Sequence, residues 1–337
     1  MVETIVEKQY NGIDVCKLVM AILVVAIHTN PMVACENGTI LSVYNSLVSL
    51  AVPFFFIASG FFLGKKMTAT IGDEENLKTI KSYLFRIIKL YLLWTIIYLP
   101  LTIYDYVVSG DSIAYCIALF VRGLFLIGEH YNSWILWYLL STIYALTFIY
   151  FMCKMKVSRK ILLLVSTIVL LIGFSLDSLV SYTGELAAFL SFIKKFVILS
   201  IDSGRIFRGV FFITIGVLFS KKEISLKLCY PICLIGFLLN IIFDGFLGNV
   251  CLAISSIALF GIAMTIKGKK NKCFPIMRQC STVIYFIHLY VWSFYYAIVY
   301  GKKTYGVDSF IIVSIVSLLI ALCWTCLKNI NKNKQHI

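Results

Sequence analysis

The chain has 337 residues, of which 61% are hydrophobic and 14% charged, whereas soluble domains are about half apolar and about a quarter charged. Its net charge of +14 would suggest a nucleic-acid partner in a soluble protein. Here the cations lie in short segments between apolar runs, where they orient membrane helices. Composition therefore excludes an ordinary soluble domain and leaves nucleic acid without support as a partner.

Apolar runs follow one another along the chain, and a run of about 20 residues can cross a hydrocarbon layer of roughly 30 Å. Backbone groups in lipid must be satisfied within each segment, so we interpret the runs as helices. The predicted fold is an all-α bundle of about ten transmembrane helices, at residues 13–34, 41–63, 83–107, 133–153, 161–179, 206–220, 228–246, 249–266, 280–300 and 308–327. The further run 112–128 carries Arg122 and is predicted not to cross fully.

Basic residues predict how these helices are oriented. With both termini in the cytoplasm, 23 of the 30 lysines and arginines fall on the cytoplasmic side, as the positive-inside rule requires. We therefore predict a single domain over 1–337 in the plasma membrane of a bacterium, surrounded by the lipid bilayer. Residues 1–12 and the tail 328–337 are predicted to be cytoplasmic. Loop 64–82 is expected on the same side, and segment 180–204 outside.

Three polar residues interrupt the first predicted helix. Lys17 and His28 are eleven residues apart, close to three turns, so they share one face. Asp14 precedes Lys17 by one turn, a spacing that allows an ion pair. Ionisable residues at membrane depth are functional candidates, and His28 suits a general base. The alternatives are a His28 that only bonds a neighbouring helix and a Lys17 that only anchors the cytoplasmic end.

Two further groups lie on the second and third predicted helices. Pro53 frees a backbone carbonyl, and the pair Ser59 and Gly60 permits close helix approach. Arg86 and Lys89 are one turn apart at the predicted cytoplasmic end of the third helix. They are candidates for holding the phosphates of a cytoplasmic donor, or alternatively for orienting the helix.

Arg205 and Arg208 begin a helix on the predicted outer side, where positive charges are unusual. They are candidates for binding a carboxylate or a phosphate; internal pairing with Asp202 is the alternative. A last polar face, at spacings of four and three on one helix, consists of Ser281, Tyr285 and His288. The eleven cysteines are scattered and predict neither disulfides nor a metal site.

Four of these elements resemble the integral membrane acyltransferases of the acyltransferase-3 type, in order over about residues 11–328. Asp14, Lys17 and His28 match the spacing of that family's first helix, with lysine where the family has arginine. The other three elements are Phe55–Phe61, Arg86–Tyr91 and Ser281–His288.

This resemblance implies transfer of an acyl group, not an aminoacyl group, from a cytoplasmic acyl-CoA to a hydroxyl-bearing acceptor at the outer face. His28 would be the general base. It implies catalytic roles for Asp14, Lys17 and His28, and substrate-binding roles for Ser59, Arg86, Lys89 and His288. The acyl-CoA is a substrate, and neither a metal nor pyridoxal phosphate is expected in this chain.

A closer resemblance is to the membrane domain of the membrane-bound serine racemases of vancomycin-resistance clusters. It rests on Trp134–Tyr138, and on Asp202–Arg205 followed by Phe211–Phe212. In those proteins a membrane half implicated in serine supply precedes a cytoplasmic pyridoxal-phosphate racemase half. The resemblance implies a second function, a membrane subunit that binds or imports serine for a separate cytoplasmic racemase. Arg205 or Arg208 would then hold the serine carboxylate.

Overall fold

The computed structural model describes residues 10–130, 133–221, 226–266, 271 and 273–334. Parts of the predicted N-terminal segment, tail and basic loops lie outside the described residues, among them 1–9, 222, 267–270 and 335–337. Every regular element described is helical. The α-helices are α1 Asn11–Thr29, α2 Gly38–Ser49, α3 Ala51–Lys66, α4 Glu74–Ser109, α5 Ile113–Arg122, α6 Leu136–Lys154, α7 Arg159–Ser181, α8 Ala188–Ser200, α9 Arg208–Phe219, α10 Leu226–Ile242, α11 Gly245–Thr265, α12 Cys273–Val299 and α13 Val307–Lys334.

The part of the chain that the structure describes contains 8 spans that are long and apolar enough to cross a membrane. They are α1, α2 with α3, α4, α6, α7, α11, α12 and α13. The predicted class, a polytopic all-α membrane protein, is therefore confirmed. Two predicted crossings, 206–220 and 228–246, correspond to the shorter helices α9 and α10, of 12 and 17 residues. At 1.5 Å per residue, α9 reaches only about 18 Å, and its residues Gly209–Val217 are buried.

The first predicted helix, 13–34, ends earlier than its apolar run. Helix α1 stops at Thr29, and Asn30 adopts the left-handed conformation, with φ 41°. Asparagine is one of the few residues that tolerate this conformation at a helix end. Pro31 follows directly, and the residue before a proline is disfavoured in a helix. The residues that follow, up to 34, form a turn.

The second predicted helix, 41–63, is two helices. Helix α2 ends at Ser49 and α3 begins at Ala51, with Leu50 between them. Pro53 has no N–H, so the carbonyl of Ser49, four residues earlier, lacks its helical donor. The break lies where that hydrogen bond is lost. The apolar run is still continuous enough to count as one span, Gly38–Lys66.

Close packing divides the chain into two compact units, and each is described by itself. The first unit comprises the described residues of 1–51, 224–234 and 258–337, and the second those of 52–223 and 235–257. In the first, a Cβ on Gly12 of α1 would lie 2.3 Å from the carbonyl oxygen of Ala263 in α11. In the second, a Cβ on Gly60 of α3 would lie 2.0 Å from the Ile213 oxygen in α9. Such contacts are possible only without a side chain, so the close approach predicted at Gly60 is confirmed.

The second unit also contains short helical elements. The run 112–128 forms α5 and a π-helix, Gly123–Ile127. Helix α8 lies in the segment expected as an external loop, where no helix was predicted, and Arg122 donates to the carbonyls of Ile198 and Ser200 near its end. One face of α8 is apolar and exposed. It consists of Phe189, Phe192, Phe196 and Leu199, each 62–73% exposed.

Candidate functional site

The first unit places Asp14 against a cation from another helix. Asp14 is buried in the first turn of α1, and its Oδ1 lies 3.9 Å from Nε of Arg278 on α12. Lys17 adds a second positive charge close to the same carboxylate, as the spacing predicted. The sequence did not predict Arg278 as a partner of Asp14. Its position three residues before Ser281 places it on the same face of α12.

Two of the predicted site residues meet at the other end of α1. The rings of His28 and His288 are stacked, with centroids 5.2 Å apart and planes at 30°. His288 is fully buried, and its Nδ1 lies 3.0 Å from the carbonyl oxygen of Ile284. A carbonyl can only accept, so Nδ1 carries the proton and, in a neutral ring, Nε2 carries the lone pair. That Nε2 is buried without a hydrogen-bond partner among the described residues.

The predicted polar face of α12 is buried in the structure. Ser281, Tyr285 and His288 are all buried, and the Tyr285 ring meets the His288 ring edge-on at 6.4 Å. The Ser281 hydroxyl donates to the Arg278 carbonyl, three residues earlier on the same helix. The face therefore contributes one ring, that of His288, to the histidine pair.

The second unit brings Ser59 and Arg86 into one hydrogen-bonded group. The Ser59 hydroxyl lies 2.8 Å from the Tyr138 hydroxyl of α6. Tyr83 of α4 bonds both Ser59 and Arg86, and the guanidinium of Arg86 lies 4.8 Å from the Tyr83 ring centre. Lys89 is exposed one turn further along α4. Tyr83 was not predicted, although it stands one turn before Arg86 on the same helix.

Arg205 is paired inside the second unit. Its Nη2 lies 2.6 Å from Glu129 and 3.6 Å from Asp202, and its guanidinium lies 5.5 Å from the Trp137 ring centre. Burial raises the pKa of Glu129, and the nearby Arg205 opposes this shift. The two stretches of the closer resemblance, Trp134–Tyr138 and Asp202–Arg205, therefore meet in the structure. Internal pairing with Asp202, the alternative left open by the sequence, is present together with the unpredicted partner Glu129.

Arg208 forms a separate ion pair. Its Nη2 lies 2.7 Å from Oδ2 of Asp177 on α7, while Oδ1 of the same carboxylate accepts from the backbone N–H of Gly204 at 2.8 Å. Asp177 was not predicted from the sequence as a partner of Arg208. The Nε atoms of Arg205 and Arg208 are buried without a hydrogen-bond acceptor among the described residues. Each guanidinium thus keeps one buried donor beyond its ion pair.

One buried histidine was missed altogether. His130 follows the π-helix and stacks on Phe120, with ring centroids 4.6 Å apart. Burial lowers its pKa to about 4, so the ring is neutral at pH 7. Its two ring nitrogens have no hydrogen-bond partner in the described part of the chain. The sequence did not predict a role for His130, because nothing in its spacing distinguishes it.

These features define a polytopic helical membrane protein with ionisable side chains held inside spanning helices. The chain belongs to the acyltransferase-3 family, because the family model described as an acyltransferase domain matches residues 10–328. The resemblance seen in the sequence is thereby confirmed. No solved structure matches the chain significantly.

Curated relatives are similar to part of the chain. An amino-acid racemase of Enterococcus faecalis is 29% identical over 173 residues, which are 51% of this chain and 22% of that protein. A second amino-acid racemase of the same species is 27% identical over 175 residues, 52% of this chain and 24% of the relative. A serine/alanine racemase of Enterococcus gallinarum is 30% identical over 125 residues, which are 37% of this chain and 17% of that protein. The chain thus covers about a fifth of the length of these relatives.

Proposed function

We propose that the chain is a bacterial plasma-membrane acyltransferase that moves an acyl group from a cytoplasmic acyl-CoA to a hydroxyl-bearing acceptor at the outer face. The family match supports the class of chemistry. The observation that carries the assignment is the stacked pair of His28 and His288. An imidazole is a side chain that can take and return a proton, as a general base must.

In the proposed reaction His28 takes the proton of the acceptor hydroxyl while the oxygen attacks the thioester carbonyl. The C–S bond then breaks, the sulfur of CoA receives the proton from the imidazolium, and the acceptor leaves as an ester. His288 orients the His28 ring by stacking. At the other end of α1, Lys17 and Arg278 place two cations beside one carboxylate, Asp14. This net positive end suits a phosphate of the donor.

The test is acetyl-CoA consumption by membrane vesicles from cells that express His28→Ala. Loss of a general base lowers rates by about 10²–10⁴-fold, so consumption should fall to background at an unchanged membrane level of the protein. The matched control is Ile27→Ala, because Ile27 is the neighbouring residue and is 38% exposed. Undiminished consumption by His28→Ala at wild-type protein levels would contradict the assignment.

A second function is favoured by the racemase names of the relatives and by the buried Nε donors of Arg205 and Arg208. In it, the chain is the membrane subunit of a split vancomycin-resistance serine racemase. It binds or imports serine for a separate cytoplasmic racemase, and one of the two arginines holds the serine carboxylate. A gene for a racemase without a membrane half, next to a gene for a D-Ala–D-Ser ligase, would decide for this function.

A further inference from the structure

A polar cleft opens at the loop between α3 and α4. It has a volume of about 450 Å³ and is lined by residues 69–73 and 156–159. Two long helices begin at its walls, since Asp73 is the N-cap of α4 and Ser158 the N-cap of α7. Helix starts carry partial positive charge, which favours anions. None of the residues assigned above to acyl transfer or serine binding lines it.

Cations from three separate parts of the second unit gather beside this cleft. Lys65 donates to the carbonyl oxygen of Ser220 at 2.6 Å, and Lys221 donates to that of Met67. Arg159 donates to the Ala69 carbonyl. These contacts hold three charged groups in place, whereas loop cations that only orient a membrane helix need no fixed position. A guanidinium has five N–H donors, so a single hydrogen bond to a carbonyl leaves most of the Arg159 donors available to a ligand.

The positive charge at the cleft exceeds the negative charge. Desolvation lowers the pKa of Lys221, and the charges of Lys65 and Arg159 lower it further, as expected for cations that repel one another. Lys156 is a fourth cation and lines the cleft itself. The carboxylate in the lining is that of Asp73, which accepts a hydrogen bond from the Thr68 hydroxyl. Glu74 and Glu75 follow in the first turn of α4, so four cations stand against three acids. An anionic ligand would relieve this repulsion.

We propose that the cleft binds a phosphate group, held by Arg159 and Lys156 in the cleft with Lys65 and Lys221 beside it. The guanidinium of an arginine can donate to two phosphate oxygens at once, and the ammonium of a lysine contributes a compact positive charge. Two sources carry this chemistry, a soluble nucleotide such as the 3′,5′-bisphosphate portion of CoA, and the headgroup of an anionic phospholipid. With CoA as the source, the inference rests on the proposed acyl transfer; with a phospholipid headgroup as the source it does not, and that binding would remain if His28 proved to be structural.

Two variants remove one charge each from the cleft. Lys156 has a positive φ of 54°, a conformation that asparagine tolerates, so Lys156→Asn removes the charge and keeps the backbone. Arg159→Gln removes the guanidinium. The matched control is Lys302→Asn, which removes an exposed lysine in the loop between α12 and α13, outside the cleft lining. If Arg159→Gln fails to fold because its bond to the Ala69 carbonyl is lost, Lys156→Asn still decides.

In the first arm, the purified protein in phosphatidylcholine nanodiscs is titrated with adenosine 3′,5′-bisphosphate. In the second, its melting temperature is compared between nanodiscs with and without phosphatidylglycerol. Saturable nucleotide binding that each cleft variant weakens about ten-fold, and that Lys302→Asn leaves unchanged, supports the soluble source. Stabilisation by phosphatidylglycerol that only the cleft variants lose supports the lipid source. No response in either arm, or an equal loss in Lys302→Asn, overturns the proposal.

Discussion

Lys17 stands where the acyltransferase-3 family has arginine, and it separates the two proposed functions. Lysine lacks the planar fork of arginine, so Lys17→Arg should preserve or raise acetyl-CoA consumption. Lys17→Ala should lower consumption about ten- to a hundred-fold, because a charge-assisted contact is worth roughly 1.5–3 kcal/mol. The measurement uses the same membrane vesicles and protein levels as for His28.

Uptake of radiolabelled serine by these vesicles provides the comparison. If the chain only handles serine, Lys17→Ala should barely change uptake, whereas Arg205→Ala or Arg208→Ala should impair it. Arg205→Lys keeps a charge beside Glu129 and controls for loss of the ion pair. Strong loss of uptake in Lys17→Ala, with both arginines dispensable, would refute the serine site.

The placement of single residues was predicted well where their spacing along one helix determines which face they share. The shared face of Ser281 and His288 is an example, because 3.6-residue periodicity alone places them together. Partners across helices were missed, as with Arg278 for Asp14 and Glu129 for Arg205. Which acid meets which base depends on how the helices pack, and the local sequence does not contain that information.

At the scale of helices, the contact of α3 with α9 depends on two glycines. A Cβ on Gly60 would lie 2.0 Å from the Ile213 oxygen, and one on Gly216 would lie 2.1 Å from the Ile57 oxygen. Both oxygens are backbone atoms that cannot turn aside, so Gly60→Ala and Gly216→Ala should each destabilise the protein by about 1–3 kcal/mol. Thermal unfolding in detergent measures the effect.

Gly38→Ala is the control, because nothing lies within 4 Å of a Cβ at that position. A melting temperature for Gly60→Ala equal to that of Gly38→Ala would show that α3 and α9 are less closely packed than described.

The limits of helices were harder to predict than their existence. Hydropathy reports a continuous apolar run at 41–63, but the hydrogen-bonded ladder is interrupted near Pro53. Helix α8 was hidden because Lys194 and Lys195 interrupt its apolar residues, and 13 residues are too few to cross a membrane. The length of an apolar run matches the length of a helix only where no proline interrupts the run. A short amphipathic helix, such as α8, gives no long apolar run at all.

For the whole molecule, the composition was sufficient to predict the class, and the orientation in the membrane stays a prediction. The split of 23 and seven cations predicts that loop 64–82 is cytoplasmic and segment 180–204 external. Green fluorescent protein fused after Lys66 should therefore fluoresce, and alkaline phosphatase fused after Tyr182 should be active.

Exchanging the two reporters between these positions is the control, and both should then be silent. The same compartment for Lys66 and Tyr182 would rule out the ten-helix arrangement, since it places an odd number of crossings between them.

The exposed apolar face of α8 predicts the depth at which this helix lies in the membrane. At 1.5 Å per residue this helix is about 20 Å long, which is too short to cross a bilayer. Its exposed face is nevertheless too apolar to be favourable in contact with water. We therefore expect α8 to lie at the boundary between headgroups and acyl chains, with the exposed Lys195 towards the headgroups. Because Arg122 of α5 donates to two carbonyls near the end of α8, α8 should also fix the depth of α5 in the bilayer.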